Sequence, residues 1–497
     1  MSGGADMKSP PRRGWFRTAA LLSVAVLVCL GALIVNSGPL YYFDSGSYFK
    51  QGDAALSLIL PAEHAEGAGA GAGGRIEDDD TVVGSRSMVY ALIVAALWRL
   101  DALSGLAILH LGAVLLAAWL AARAASHHFA APPGRAALVA VPLLAGALGA
   151  LPFYIAYVMP DIFAPVLILV FAALAAMSRQ MGPLEILAAL ALGSLAVVTH
   201  PSHLAIAGLM VPLVLLGALI QSRRRWWLPP LLVLLVFLAG VAEREVFRIA
   251  AKTVAHKEVT YTPHITARLI VDGPGYAYLE DHCPDPALAT CRLYEALSWS
   301  DDPYRLTVSH IIFETSPELG SFRLLPPEDR QRVAAAQREF FFDVLAARPF
   351  DIGLAFAKNT LLQFLFYDIG MTIPTDGVME SVRNQTRMPG LEGGALAESR
   401  GWISGVMQVQ SVVYAISFAA VVVLLLWPGR LPGPVRAFGV FLLLGLGVNA
   451  FVCGAVSQPA DRYGARVIWL LPYAAAFLAL CFHAARDAAP NLSGGSR

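Results

Sequence analysis

Long apolar runs separated by short polar breaks set the organisation of this chain. The runs are Thr18–Val35, Ala102–Ala122, Ala136–Leu151, Ile162–Met177, Leu184–Val198, Leu204–Ile220, Trp226–Ala242, Ile403–Trp427, Val435–Cys453 and Val467–Phe482. Runs of this kind predict helices that cross a bilayer core about 30 Å thick. The pattern therefore predicts an all-α polytopic membrane protein with about ten transmembrane helices. Ser87–Leu100 is shorter, about 14 residues, and ends in Trp98-Arg99-Leu100-Asp101. It reads as a juxtamembrane or re-entrant helix leading into the next span, with a full crossing as the alternative.

Lys and Arg in the short loops orient the chain. Arg123, Arg135, Arg179, the triplet Arg223-Arg224-Arg225, Arg430, Arg436 and Arg486 fall on one side, together with the basic N-terminus (Lys8, Arg12, Arg13, Arg17). That side is expected to be cytoplasmic, and the site a bacterial inner (plasma) membrane. The divisions are then residues 1–17 as a cytoplasmic N-terminus, 18–35 as the first span, and 36–101 as a long extracytoplasmic loop. A transmembrane bundle follows at 102–242, a larger and mainly helical extracytoplasmic domain at 243–400, further spans at 401–483, and a cytoplasmic tail at 484–497. The first loop holds the Gly/Ala-rich stretch Ala65–Gly74, read as flexible linker, and the acidic run Asp78–Asp80. In the larger segment Pro326-Pro327-Glu328-Asp329 resembles a helix start. Arg330–Ala347 follows as an amphipathic helix, and Phe350–Phe366 as a helix at the membrane interface.

Composition agrees with this pattern. Hydrophobic residues make up 57% of the 497 residues and charged ones only 14%, against about 25% charged in soluble domains. The 36 basic and 36 acidic side chains cancel, so charge gives no reason to expect a nucleic-acid partner. Gly67–Gly74 lacks the Lys-Ser/Thr ending of a phosphate-binding loop. Glycines inside spans, such as Gly445 and Gly447, read as sites of close helix packing. Cys29, Cys453 and Cys481 fall in apolar spans, whereas Cys283 and Cys291 lie close together in the large loop. In an oxidising compartment that pair predicts a local disulfide. A metal site is less favoured there, since thiolate ligands come in threes or fours.

Candidate chemistry lies in polar groups at span ends, because ionisable residues are expensive inside a membrane. After the first span comes Tyr41-Tyr42-Phe43-Asp44-Ser45-Gly46-Ser47-Tyr48. The first loop ends in Arg86-Ser87-Met88-Val89-Tyr90. Tyr157-Val158-Met159-Pro160-Asp161, Thr199-His200-Pro201-Ser202-His203 and Asp461-Arg462-Tyr463-Gly464-Ala465-Arg466 follow. On the expected topology these groups share one membrane face and predict a common polar cavity. Each also has a structural reading: Asp44 as a helix N-cap, the histidines as snorkelling side chains, and the arginines as anchors for lipid phosphate.

The order of these features resembles the GT-C class of polytopic glycosyltransferases, which use polyprenyl-phosphate-linked sugars on the extracytoplasmic side. The resemblance rests on the basic N-terminus and first span, Phe43-Asp44-Ser45-Gly46-Ser47-Tyr48, Arg86-Ser87-x-x-Tyr90, and Asp461-Arg462-Tyr463 before Val467-Ile468-Trp469-Leu470-Leu471-Pro472. It covers roughly the first 220 residues and the final 50. The chain departs from the class where Asp44 is followed by Ser-Gly-Ser-Tyr, where Asp161 stands single, and in the Glu243–Arg400 insert.

The resemblance implies transfer of a sugar from a polyprenyl-phosphate donor to an envelope glycan, lipid or protein. Asp44 and Asp161 would be the catalytic carboxylates. Tyr48, Arg86, Tyr90, His200, His203, Arg462, Tyr463 and Arg466 would bind substrate or phosphate, arginine being suited to phosphate by its planar fork. No cofactor is assigned, and a divalent metal is possible at Asp44, Asp161 and Asp78–Asp80. A lipid or sugar transporter and a non-catalytic envelope assembly protein are the alternatives.

Overall fold

The computed structural model describes residues 12–57, 60, 81–221, 225–254 and 256–487. The Gly/Ala-rich stretch, Asp78–Asp80, Arg223 and Arg224 lie outside the described residues. The chain is an all-α membrane protein. Among the described residues six helical segments are long and apolar enough to cross a membrane: Gly105–Ser126, Pro160–Gln180, Pro201–Gln221, Trp402–Leu426, Gly433–Ser457 and Asp461–Arg486. Phe16–Cys29, Met88–Arg99, Arg135–Ala147 and Pro183–Val198 are shorter apolar helices.

Several apolar runs fold differently from their sequence outline. The first is divided into Arg12–Cys29 and Gly31–Asn36. Ala136–Leu151 is divided where Gly146 meets the Trp469 ring and Gly149 the Tyr414 ring, and a new helix starts at Leu151 with Pro152 in its first turn. Trp226–Ala242 does not stop at 242, because the helix Leu228–Val254 continues through Glu243, Arg244 and Glu245. The last span begins early, at Asp461, so the arginine pair sits inside a helix rather than in the loop before it.

At the centre lies Phe163–Met177, apolar on every face and buried along its whole length, as a helix hydrophobic all round must be. Small residues let its neighbours close on it. A Cβ at Gly445 would come 2.5 Å from Ile168, whereas Gly447 has open space around it. Of the two span glycines, only the first serves close packing. Met88–Arg99 is about 18 Å long at 1.5 Å per residue. It packs on Phe43–Ser57 through Gly52, where a Cβ would strike the Ala91 carbonyl oxygen and lie 2.8 Å from the Ala95 methyl. The Arg99 Nε donates to Asp53 at 2.8 Å at the far end of this pair.

The segment 243–400 divides between two cores. Its first part, from Ala267 to Ile352, buries its own cluster around Leu279, Leu297, Ile311 and Phe340. Ile369, Val378, Met379 and Val382 instead join the transmembrane core, because the helix Asp376–Thr386 packs against Phe43–Ser57. Residues 81–83 and 258–260 pair in parallel and tie the first loop to this segment. Cys283 and Cys291 are joined in a disulfide, and Cys29, Cys453 and Cys481 are buried free thiols.

Two outcomes follow from this packing. Gly52→Ala is expected to destabilise the protein by about 1–3 kcal/mol through overpacking, whereas Gly112→Ala, with nothing within 4 Å, should leave the melting temperature in detergent nearly unchanged; equal melting of the two variants would contradict the helix contact. In denaturant without reductant, three cysteines should be alkylated, rising to five after reduction, as intact mass reports; five labels before reduction would exclude the bridge.

Candidate functional site

The site begins with two loops zipped together. Leu40 and Tyr157 form an isolated parallel bridge, in which Leu40 N donates to Ala156 O (2.9 Å) and Val158 N to Leu40 O (2.8 Å). Ser45 adds a bond from its hydroxyl to Val158 O at 3.0 Å. These bonds fix the start of helix Phe43–Ser57 beside the 3-10 turn Pro160–Ile162. Asp44 and Asp161 therefore approach one region from chain positions 117 residues apart. The rest of the Asp44-Ser45-Gly46-Ser47 motif is structural. A Cβ at Gly46 would lie 2.7 Å from Gln385 Oε1, and Ser47 Oγ donates to that same oxygen at 3.0 Å.

Arg462 and Arg466 sit one turn apart on Asp461–Ile468 and so share a face. That helix is held from outside the bundle. Gln363 grips both polar atoms of Ala460, donating to its oxygen at 2.9 Å and accepting from its nitrogen at 3.0 Å. Gly464 leaves room for the Phe366 carbonyl, which any side chain would meet. From this position Arg462 donates to Asp161 through Nη2 (2.9 Å) and Nε (3.1 Å), and to Asp44 through Nη1 (3.3 Å). Arg466 donates to Asp161 at 3.4 Å, to Asn449 Oδ1 at 2.8 Å and to Ser202 Oγ at 3.2 Å. Arg86 Nη2 donates to the other Asp44 oxygen at 2.8 Å. Tyr42 lies under the Arg462 guanidinium at 4.8 Å, and Tyr463 contacts both arginines through its ring.

The cluster runs from dry to wet. Asp161 and Arg466 are fully buried (0%), while the Asp44 side chain is 34% exposed and that of Arg86 26%. Three guanidinium groups face two carboxylates, leaving one positive charge in excess. Partial burial alone would raise the pKa of Asp44. The charges of Arg86 and Arg462 and their hydrogen bonds outweigh that and hold it below the usual carboxylate value. Asp44 is thus ionised at neutral pH and reachable from solvent, whereas Asp161 is sealed between two arginines.

The histidines sit alongside. His203 Nδ1 meets the Ala196 carbonyl at 2.8 Å, so it carries the proton, and its buried Nε2 has no partner among the described residues. The His200 ring lies 5.3 Å from it and lines a narrow crevice with Arg86, Glu243, Arg244 and Tyr261. Tyr48 and Tyr90 are buried and stack edge to face at 5.1 Å, with the Tyr90 hydroxyl 3.4 Å from His110 Nε2. Both rings lie in the wall behind Asp44. The Arg86-Ser87-x-x-Tyr90 spacing has a capping role, since Ser87 Oγ accepts from Tyr90 N at 3.2 Å. The disulfide belongs to the second core and not to this cluster.

Four further residues complete the site. Tyr42 neighbours the Asp44 motif, and Asn449 is a polar interruption in an apolar span, a visible signal. Tyr154, whose hydroxyl donates to Arg462 O at 2.7 Å, reads in sequence as an ordinary core aromatic. His264 has no local signal either. The paired strands bring it to where it senses Asp44 and Arg86, and burial pushes its pKa down to about 4. No group of three or more His, Cys, Asp or Glu among the described residues is placed to hold a metal ion.

No protein-family model matches the chain, and no curated protein matches it. Two solved structures are similar over nearly its whole length. ArnT from Cupriavidus metallidurans in the apo state has 12% identity and a TM-score of 0.32, over 96% of this chain and 78% of that one. The same protein bound to undecaprenyl phosphate has 12% identity and a TM-score of 0.31, over 98% and 81%. At these scores the likeness carries no conclusion about chemistry, which rests on the residues themselves.

Proposed function

We propose that this chain is an integral membrane glycosyltransferase-like enzyme that moves a sugar from a polyprenyl-phosphate donor to an envelope acceptor on the extracytoplasmic face. The observation that carries this reading is the ionised, solvent-reachable carboxylate of Asp44, set between Arg86 and Arg462 at the open end of a cluster with one excess positive charge.

Sugar transfer needs a base for the acceptor hydroxyl and cations for the leaving phosphate. Asp44 takes the hydroxyl proton as the acceptor oxygen bonds to the anomeric carbon. The bond from that carbon to the phosphate oxygen breaks, and its electron pair leaves with the phosphate. Arg86, partly exposed beside Asp44, stabilises that charge by hydrogen bonding, and the buried Arg462 adds its positive charge from behind Asp44. When phosphate engages Arg86, Asp44 loses part of the charge that depresses its pKa and becomes a stronger base. Asp161 touches no solvent and is a positioning residue: it holds Arg462 and Arg466 in place. No step requires a metal, and Asp44 is the carboxylate open to one.

Asp44→Asn is expected to lower transfer of a labelled sugar from a polyprenyl-phosphate donor by about 100-fold or more, with the variant still inserted and monodisperse. Retained transfer would overturn the assignment. Asp161→Asn should instead leave two buried guanidinium groups undercompensated and destabilise the protein by about 3–5 kcal/mol, read as a lowered melting temperature. The depressed pKa of Asp44 also has a sign: its ion pairs contribute fully above the ordinary carboxylate value near 4 and are lost as pH falls through the lower folded value. Arg86→Gln removes one of the two cations and should move the acidic limb of the pH profile up by about one unit. An unmoved limb would separate Arg86 from Asp44.

A further inference from the structure

Consecutive helices of the segment after the disulfide have opposite polarity. Pro327–Ala347 turns charge outward: Val333, Ala334, Phe340 and Val344 point inward, while Arg332, Arg338 and Glu339 are exposed and the Arg338 guanidinium covers the one large apolar ring on that face, Phe342. Pro349–Leu365 is inverted. Its buried residues include Asn359 and Gln363, while Phe350 (89% exposed), Leu354 (73%), Leu361 (67%) and Leu365 (73%) form a stripe on its outer side. The inner polar groups are satisfied, Asn359 by the Asp272 carboxylate at 2.8 Å and Gln363 by Ala460. A helix that hydrogen-bonds inward and presents leucine and phenylalanine outward is turned toward an apolar medium.

We propose that the outer face of Pro349–Leu365 lies in the acyl-chain boundary of the bilayer. Three observations favour lipid over a protein partner. The helix runs against the end of a membrane span: Gly454 in Gly433–Ser457 leaves room for the Asn359 carbonyl, and Phe356 meets Phe451 edge to face at 6.0 Å. The side of that span away from the core, with Val440 and Leu444, is itself exposed and apolar. The charged residues of the outer face sit where an interfacial helix can tolerate them. Asp351 is at the first turn, 3.9 Å from Arg348, and Lys358 has a stem long enough to snorkel. The helix is about 26 Å long, and Asp351 and Lys358 on its outer face favour a seat along the interface over a crossing. Its seating bears on the site, because Gln363 holds Ala460 two residues before Arg462.

The test is a nitroxide label at Leu354→Cys and at Leu361→Cys, with Glu339→Cys as the water-facing control. The native cysteines are buried or paired, so the introduced thiol labels selectively. In phosphatidylethanolamine/phosphatidylglycerol liposomes, collisions with oxygen should exceed those with the aqueous nickel reagent several-fold at positions 354 and 361, and the order should reverse at 339. Nickel access at 354 and 361 equal to that at 339 would overturn the proposal. So would protection from both reagents, which would mark a protein contact. The measurement does not depend on sugar transfer.

Discussion

The Asp161 carboxylate is removed from water and held between two guanidinium groups that stand one turn apart on the helix Asp461–Ile468. Such a group cannot stay charged alone in an apolar interior. Breaking a buried pair from one side costs several kcal/mol. Arg462 and Arg466 therefore must meet Asp161, and in doing so they fix the height of the last helix against the first turn of the most buried one. Asn449 and Ser202 take the remaining Arg466 donors and bring two more spans into the same register. Four segments converge because their polar atoms have few other partners at that depth.

This knot leaves one direction open. Arg462 has a donor beyond Asp161 and directs it to Asp44, whose second oxygen is held by Arg86. The dry end of the cluster stabilises and the wet end is available for chemistry. The excess positive charge therefore appears where solvent and ligand can reach it. At the opening stand an ionised carboxylate and one partly exposed guanidinium, with a second guanidinium buried behind them.

The same economy governs the outer parts. The arginine helix is not held by the transmembrane core alone, since Gln363 clamps its start from a helix whose outer face is apolar. Packing by exclusion of side chains recurs at Gly46, Gly52, Gly445 and Gly464, each of which admits a neighbouring backbone or side chain too close for a Cβ. These glycines set distances between elements, and the polar bonds set their registers.

An all-α membrane chain follows from the hydrophobic pattern, because runs of spanning length leave few other solutions. That pattern also marks most of the polar knot: Asp44, Arg86, Asp161, His200, His203, Arg462 and Arg466 are conspicuous against an apolar background where each charge is expensive. The cysteine pair is legible from its close spacing in a loop assigned to an oxidising compartment. Which of these are open and which are sealed emerges from the packing, since burial depends on what lies above a residue and not on its neighbours in the chain. Asp44 and Asp161 look equivalent in sequence, yet the Leu40–Tyr157 bridge and the arginine pair leave one exposed and bury the other. Tyr48 and Tyr90 stand beside the right motifs but turn into the core, because helical geometry puts them on the faces where the Gly52 contact closes. His264 could not be foreseen at all. It arrives from a segment far along the chain through three residues of strand pairing, a long-range contact with no trace in local pattern.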